Sequence, residues 1–365
     1  MLRAEAHIDL HALRHNVAAI ALRTNAQILA VVKATAYGHG LIPVAKTAVD
    51  AGAHWLGTAL LEEAVQLRAA GITTPIISWL TPPGTDFAQA LELGIDISVP
   101  SLEILREVSA AAHSLRKTAR IHLEVDTGMH RGGALSEWNS LIAEAKNSPV
   151  EVVGAWTHFA RADEPESEYT ELQLKNFEQR IAELKSAGIN PEFLHVANSA
   201  ATLNFPSSHK QIVRLGIAMY GLSPDVLHMG SSESLGLKPV MSLHSVLHSV
   251  KKVPAGSPVG YGGSGVTVTE TNLGIVPMGY SDGIDRNATA AVGVTINGKR
   301  APIIGRVSMD QFVVDLGPDT QAKPGDSVTL FGTGSYSIDE WAAACVTINY
   351  EIVTRIAARV PRISV

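Results

Sequence analysis

Lys33 closes an apolar run, Ile28-Leu29-Ala30-Val31-Val32, and opens into Ala34-Thr35-Ala36-Tyr37-Gly38-His39-Gly40. A strand this apolar is expected to be buried, and burial disfavours the charged ammonium. A lysine with a depressed pKa is a nucleophile able to form a Schiff base with a carbonyl. The glycines let the chain turn tightly beside whatever binds there. Other polar residues follow apolar runs in the same manner: Asp126 with Arg131 just beyond, His158, Asn198-Ser199, and Arg214-Leu215-Gly216. Taken singly, each is compatible with an ordinary structural role.

The elements that must position these residues fall into two stretches of different grammar. As far as Tyr220, apolar runs at residues 28–33, 54–58, 75–79, 95–99, 119–126, 151–158, 193–198 and 211–215 read as strands. Amphipathic helices, as over residues 61–70, 101–111 and 169–187, separate them, and Gly71 and Gly188 serve as helix stops. Eight strand–helix units in succession predict a closed, TIM-like parallel (β/α)8 barrel, assigned to residues 1–233. An open doubly wound sheet is the alternative, but no G-x-G-x-x-G follows the first strand. Beyond about residue 237, short Val-, Thr- and Ile-rich runs are broken by Gly, Pro and Asn. Asn297-Gly298 between extended runs predicts a tight hairpin. Residues 234–365 are therefore assigned to a mostly-β C-terminal domain, with 231–237 as linker and only residues 338–345 helical.

Barrels place chemistry at the C-terminal ends of their strands, and Lys33, Asp126, Arg131, His158, Asn198, Ser199 and Arg214 all fall there. A helix begins at Ser199-Ala200-Ala201 after the seventh strand, and Gly216 follows the eighth. Those two loops form the usual phosphate cradle of such barrels. Lysine, phosphate site and strand-end arginine together point to pyridoxal 5′-phosphate.

Bulk properties exclude several other classes. With 365 residues, 46% hydrophobic and 18% charged, the chain suits a well-packed globule of one large domain and one smaller. A net charge of −6 and the lack of a basic stripe give no footprint for nucleic acid. Residues 1–9 carry polar groups throughout and lack the apolar core of a signal segment, and no run approaches the ~20 apolar residues of a membrane span. A cytoplasmic enzyme is expected. Cys345, the single cysteine, reads as a small buried hydrophobe without metal-ligand partners.

The motifs resemble those of the alanine racemases, from Ile8 to Val365. The lysine segment Ala30-Val31-Val32-Lys33-Ala34-Thr35-Ala36-Tyr37-Gly38-His39-Gly40 is similar to that family's, with Thr35 where Asp or Asn is usual. Further matches are Val125-Asp126-Thr127-Gly128-Met129-His130-Arg131, Thr157-His158-Phe159-Ala160, Ala197-Asn198-Ser199-Ala200-Ala201 and Arg214-Leu215-Gly216-Ile217-Ala218-Met219-Tyr220-Gly221. The second domain adds Gly260-Tyr261-Gly262, Gly279-Tyr280-Ser281-Asp282-Gly283, Gly305-Arg306-Val307-Ser308-Met309-Asp310-Gln311 and Ile348-Asn349-Tyr350-Glu351.

The resemblance implies a pyridoxal-phosphate racemase with two bases, Lys33 and the partner subunit's Tyr261, acting on opposite faces of the α-carbon. It implies that Arg214 faces the cofactor's ring nitrogen with His195 orienting it, and that His158 and Arg214 bring the Tyr261 phenol into range. Tyr37, Asn198, Ser199, Gly216, Ile217 and Tyr350 would hold the cofactor. Arg131 would contact it and the substrate carboxylate, the latter shared with Met309, while Tyr280 and Tyr350 narrow the entrance. Arg286, Arg306 and Asp163 match positions near the entry channel. A homodimer with shared sites follows, supplying D-alanine for peptidoglycan, with no metal, nucleic acid or membrane partner. Glu124 departs from the pattern: the family usually has a lysine that becomes carbamylated and supports the arginine at 131, and Glu124 would supply that carboxylate itself. Ser308 stands where Cys is usual. The alternatives are a broader racemase acting on serine or basic amino acids, a fold-related decarboxylase, and a non-catalytic cofactor carrier.

Overall fold

The computed structural model describes residues 2–365 and contains two compact units. One comprises Leu13–Ala36 and Leu41–Lys238; the other gathers residues 2–12, Tyr37–Gly40 and Pro239–Val365. The N-terminal strand β1 (Ala4–Ile8) belongs to the second unit.

The first unit is the expected barrel. Strands β2 (Gln27–Val31), β3 (Trp55–Thr58), β4 (Ile76–Ser78), β5 (Asp96–Val99), β6 (Ala119–Glu124), β7 (Val150–Trp156), β8 (Phe193–His195) and β9 (Ile212–Leu215) form one parallel sheet. The order is β8-β7-β6-β5-β4-β3-β2-β9. The Arg214 N–H donates to the Ala197 carbonyl at 3.0 Å, so the two ends of the sheet meet beside β8. β3, β4, β5 and β9 are buried at every position, as parallel strands covered on both faces must be. Four strands stop two or three residues before the expected ends, which places Lys33, Asp126, His158 and Asn198 just beyond β2, β6, β7 and β8.

The second unit is mostly strand. A six-stranded sheet runs Lys299–Pro302, Gly293–Ile296, Ser327–Phe331, β10 (Met241–Val246), β1, Arg362–Ser364. β1 pairs antiparallel with β10 and parallel with the C-terminal strand, so both ends of the chain meet in one sheet. The hairpin at Asn297-Gly298 is present, with both residues at positive φ. The helical expectation needs correction: besides Ile338–Ala344, a second helix spans Asn349–Thr354. Its β-branched Ile352, Val353 and Thr354, with Thr347 and Ile348 just before it, favour strand over helix and hide the short helix in the sequence.

Candidate active site

Lys33 does not end a strand; it begins a left-handed turn, Lys33–Tyr37. Ala34, Thr35, Ala36 and Tyr37 have φ of 53°, 54°, 56° and 52°. Four such non-glycine residues in a row are strained, and strain of this kind persists only where the surroundings impose it. Here the Ala36 N–H donates to the Val32 carbonyl at 2.8 Å, and the Thr35 N–H donates to Glu63 Oε1 at 3.2 Å. The other Glu63 oxygen accepts from the N–H groups of Ala59 and Leu60. Glu63 thus braces the turn, a role that sequence reasoning missed. Burial, with the charges of Arg131 and Arg214, lowers the Lys33 pKa, against a smaller opposing pull from Glu63. A neutral amine is nucleophilic.

Arg214 sits on β9, buried, with its guanidinium over the Trp156 ring at 5.0 Å. Nη1 donates to the His195 carbonyl at 2.6 Å and faces His195 Nδ1 at 3.3 Å. Nη2 donates to the carbonyls of Thr157 (2.8 Å) and Val196 (3.1 Å) and faces His158 Nδ1 at 3.3 Å. Burial depresses even this guanidinium, to about 9, against a supporting charge from Glu124. His158 lies well below its ordinary value through burial and the charges of Arg214, Arg131 and Lys33, so it is a neutral imidazole.

Ser199 Oγ accepts from the N–H groups of Gly216 (2.9 Å) and Ala218 (3.3 Å), tying the two expected anion loops together. The Asn198 side chain accepts from the Ala201 N–H and caps the helix Ser199–Asn204. Arg131 is exposed, and Glu124 is half-buried behind it. No hydrogen bond or ion pair joins Glu124 to Arg131 among the described residues; the glutamate lies against Gly132, where an added Cβ would stand 2.9 Å from Oε1. Burial raises the Glu124 carboxyl to about 7, although Arg131 and Arg214 pull it down. Lys33, Arg131 and Arg214 make no ion pair with any described carboxylate. Three cationic groups influence one another here without a full counter-charge, which suits an anionic ligand. An amine, a buried guanidinium and a cradle of hydroxyl and backbone N–H groups also fit a carbonyl-bearing heterocyclic phosphate.

The remaining expected residues lie in the second unit. Tyr37 is buried, which raises its phenol, and its ring centroid stands 6.2 Å from that of Tyr350. Tyr261, Tyr280 and Met309 are exposed by 70%, 43% and 54%. Tyr280 and Met309 are held together: the Tyr280 N–H donates to the Ser308 carbonyl, and Ser281 donates twice to the Met309 carbonyl. Beneath them Asp282 accepts from Arg3, Arg359 and the Gly279 N–H.

Two family models cover the chain: "Alanine racemase, N-terminal domain" matches residues 8–224 and "Alanine racemase, C-terminal domain" residues 240–364. The alanine racemase of Thermobifida fusca is 47% identical over 369 residues, 99% of this chain and 97% of that protein. The crystal structure of alanine racemase from D-cycloserine-producing Streptomyces lavendulae superposes with a TM-score of 0.97 at 46% identity, covering 100% of this chain and 97% of that one. The Bacillus anthracis alanine racemase with bound L-Ala-P gives 0.92 at 39% identity, with 100% and 95% coverage.

Proposed function

The chain belongs to the alanine racemase family, isomerases that act on amino acids, and from that premise we propose that it interconverts L- and D-alanine with pyridoxal 5′-phosphate by a two-base mechanism. The observation that carries this reading is the grouping of Lys33, Arg131 and Arg214 as unpaired cationic groups, with the lysine depressed towards its neutral form. When bound, the cofactor supplies an aldehyde for an amine and a conjugated ring that takes up the electron pair left at the α-carbon.

Lys33 would hold that cofactor and then move the α-proton at Nζ on one face. The partner subunit's Tyr261 would do so at its phenolic oxygen on the other. A free phenol, with pKa ~10, is a weak base at neutral pH. His158 helps: its Nδ1 faces an Arg214 N–H, which leaves the proton on Nε2, ready to donate to a phenolate. Arg214, which only donates, would hydrogen-bond the ring nitrogen without giving up its proton and so favour delivery of a proton to the α-carbon over other positions. Tyr37, Asn198, Ser199, Gly216, Ile217 and Tyr350 would hold the phosphate end. Arg131 would bind the substrate carboxylate, shared with Met309, and Tyr280 would limit side-chain size. The exposure of Tyr261, Tyr280 and Met309 supports a two-fold dimer in which each unit of strands completes the partner's barrel.

No helix among the described residues is long and apolar enough to cross a membrane. We place the enzyme in the cytoplasm, supplying D-alanine for peptidoglycan. Proton NMR of L-alanine with the purified protein in deuterium oxide tests the reaction. Loss of the α-proton signal together with D-alanine formation is expected. Exchange without D-alanine would remove the second base, and no exchange would overturn alanine as substrate.

A further inference from the structure

Behind Arg214 a line of buried polar side chains crosses the barrel interior. His195 Nδ1 faces Arg214 Nη1 at 3.3 Å, His195 Nε2 faces His122 Nδ1 at 2.9 Å, and His122 Nε2 faces Asp96 Oδ2 at 3.4 Å. Exposure is 4% for Arg214, 1% for His195, 0% for His122 and 4% for Asp96. Trp156 stacks on His195 with ring planes 2° apart, while Trp55 and Phe193 close around His122. Arg120 caps the far end, donating to both Asp96 oxygens at 2.9 and 3.1 Å. Burial raises the Asp96 pKa, but the hydrogen bonds from His122 and Arg120 outweigh it and keep the carboxylate ionised.

The ends of this line fix its middle. A guanidinium only donates and a carboxylate only accepts. For all three bonds to form, His195 must accept at Nδ1 and carry its proton on Nε2. His122 must then accept at Nδ1 and donate from Nε2 to Asp96. No other proton arrangement, neutral or charged, makes every bond. The backbone is shaped for this line as well: the β6–β7 register slips between Ile121 and His122, and the facing residue is Gly154. A Cβ there would stand 2.0 Å from His122 Nδ1. Bulges of this kind re-aim a side chain.

We propose that Asp96 and His122 are positioning residues for the racemisation: they set the His195 tautomer and so keep Arg214 aimed as a donor. The proposal rests on the alanine racemase reading above, since Arg214 matters to the reaction only if it faces the cofactor's ring nitrogen. Losing the line would let Arg214 shift, and a less well-placed donor would permit protonation at the ring nitrogen and a longer-lived, more delocalised charge. A proton would then more often be delivered away from the α-carbon, and water hydrolysing the C=N bond to the substrate would supply the ketone oxygen of released pyruvate, the amino group staying with the cofactor.

The first measurement is 15N–1H correlation of histidine-labelled holoenzyme, assigned with His122→Asn and His195→Asn. Both rings should carry the proton on Nε2; an Nδ1–H tautomer at either overturns the proposal without need of a further variant. The second uses Asp96→Asn and Gly154→Ala. A folded variant should lose roughly tenfold in kcat, as expected for one hydrogen bond to a charged group, with KM for alanine nearly unchanged. Pyruvate formed per racemisation should rise by a similar factor. Wild-type kcat and pyruvate ratio in folded variants would overturn the proposal. A wild-type protein that racemises nothing would instead overturn the reaction, and leaves the tautomer result standing.

Discussion

A carboxyl group with a pKa of about 7 is half ionised at neutral pH, and Glu124 is such a group. Its folded pKa lies above the unfolded value of ~4.3, so its contribution to stability is fully present below that value and is lost as pH rises through about 7. Glu124→Gln should therefore match wild type at pH 4 and exceed it by about 2 kcal/mol at pH 8 in urea unfolding, allowing for partial exposure. The same ionisation offsets the charge of Arg131, so KM for alanine should rise from pH 6 to 8 in wild type and stay flat in Glu124→Gln. A parallel rise in both would dissociate Glu124 from Arg131. Lys33 follows the opposite rule. Its lowered folded pKa costs stability below that pKa, and the cost fades as pH climbs towards the ordinary lysine value of ~10.4. Cofactor-free Lys33→Met should melt above cofactor-free wild type at pH 7, with the gap closing by pH 10. The lysine was legible in sequence because an apolar run led into it. His122 and Asp96 were not, because single polar residues inside strands give no periodic signal and find each other only across the barrel.

At the scale of elements, the left-handed turn carrying Lys33 is the least foreseeable. Ala-Thr-Ala-Tyr contains no glycine and no local preference for positive φ. What imposes the turn is tertiary, namely the brace from Glu63 and the seat of Gly38, where a Cβ would stand 2.3 Å from the Val353 carbonyl oxygen. Gly38 also has φ of +78°. Gly38→Ala should cost roughly 2–4 kcal/mol in unfolding and lower cofactor affinity, read from the visible absorbance on titration. The eight barrel strands were legible because each is a short buried run bounded by helix signals. β1 escaped notice because its partners lie at the far end of the chain. A second element-scale prediction concerns the loops bearing Tyr280 and Met309. Burial would raise Asp282, yet Arg3 and Arg359 hold it at about 2. Its stabilisation is present above ~3.9 and is lost only as pH falls towards about 2. Asp282→Asn should loosen both loops, raise KM for alanine several-fold and narrow the preference for alanine over serine.

For the whole molecule, the proposed shared-site dimer makes a numerical prediction. Lys33→Met and Tyr261→Phe homodimers should each be nearly inactive. Mixed and re-equilibrated, half the dimers would pair the two variants and carry one intact site, restoring about a quarter of wild-type activity under random exchange. No restoration would place both bases in one subunit's site. The motifs made the family legible at this scale, while the grouping of chain segments into units was not, since the alternation of strands and helices says nothing of where the first strand pairs. That pairing has a consequence for how the protein is made. β10 follows β1 about 230 residues later in the chain, and the other neighbour of β1, Arg362–Ser364, follows later still. At ordinary elongation rates β1 must wait roughly 10 to 50 seconds for its first partner while the barrel residues emerge behind it. The nascent chain therefore carries β1 unpaired while the whole barrel is translated, and its second edge stays open until Arg362–Ser364 arrives.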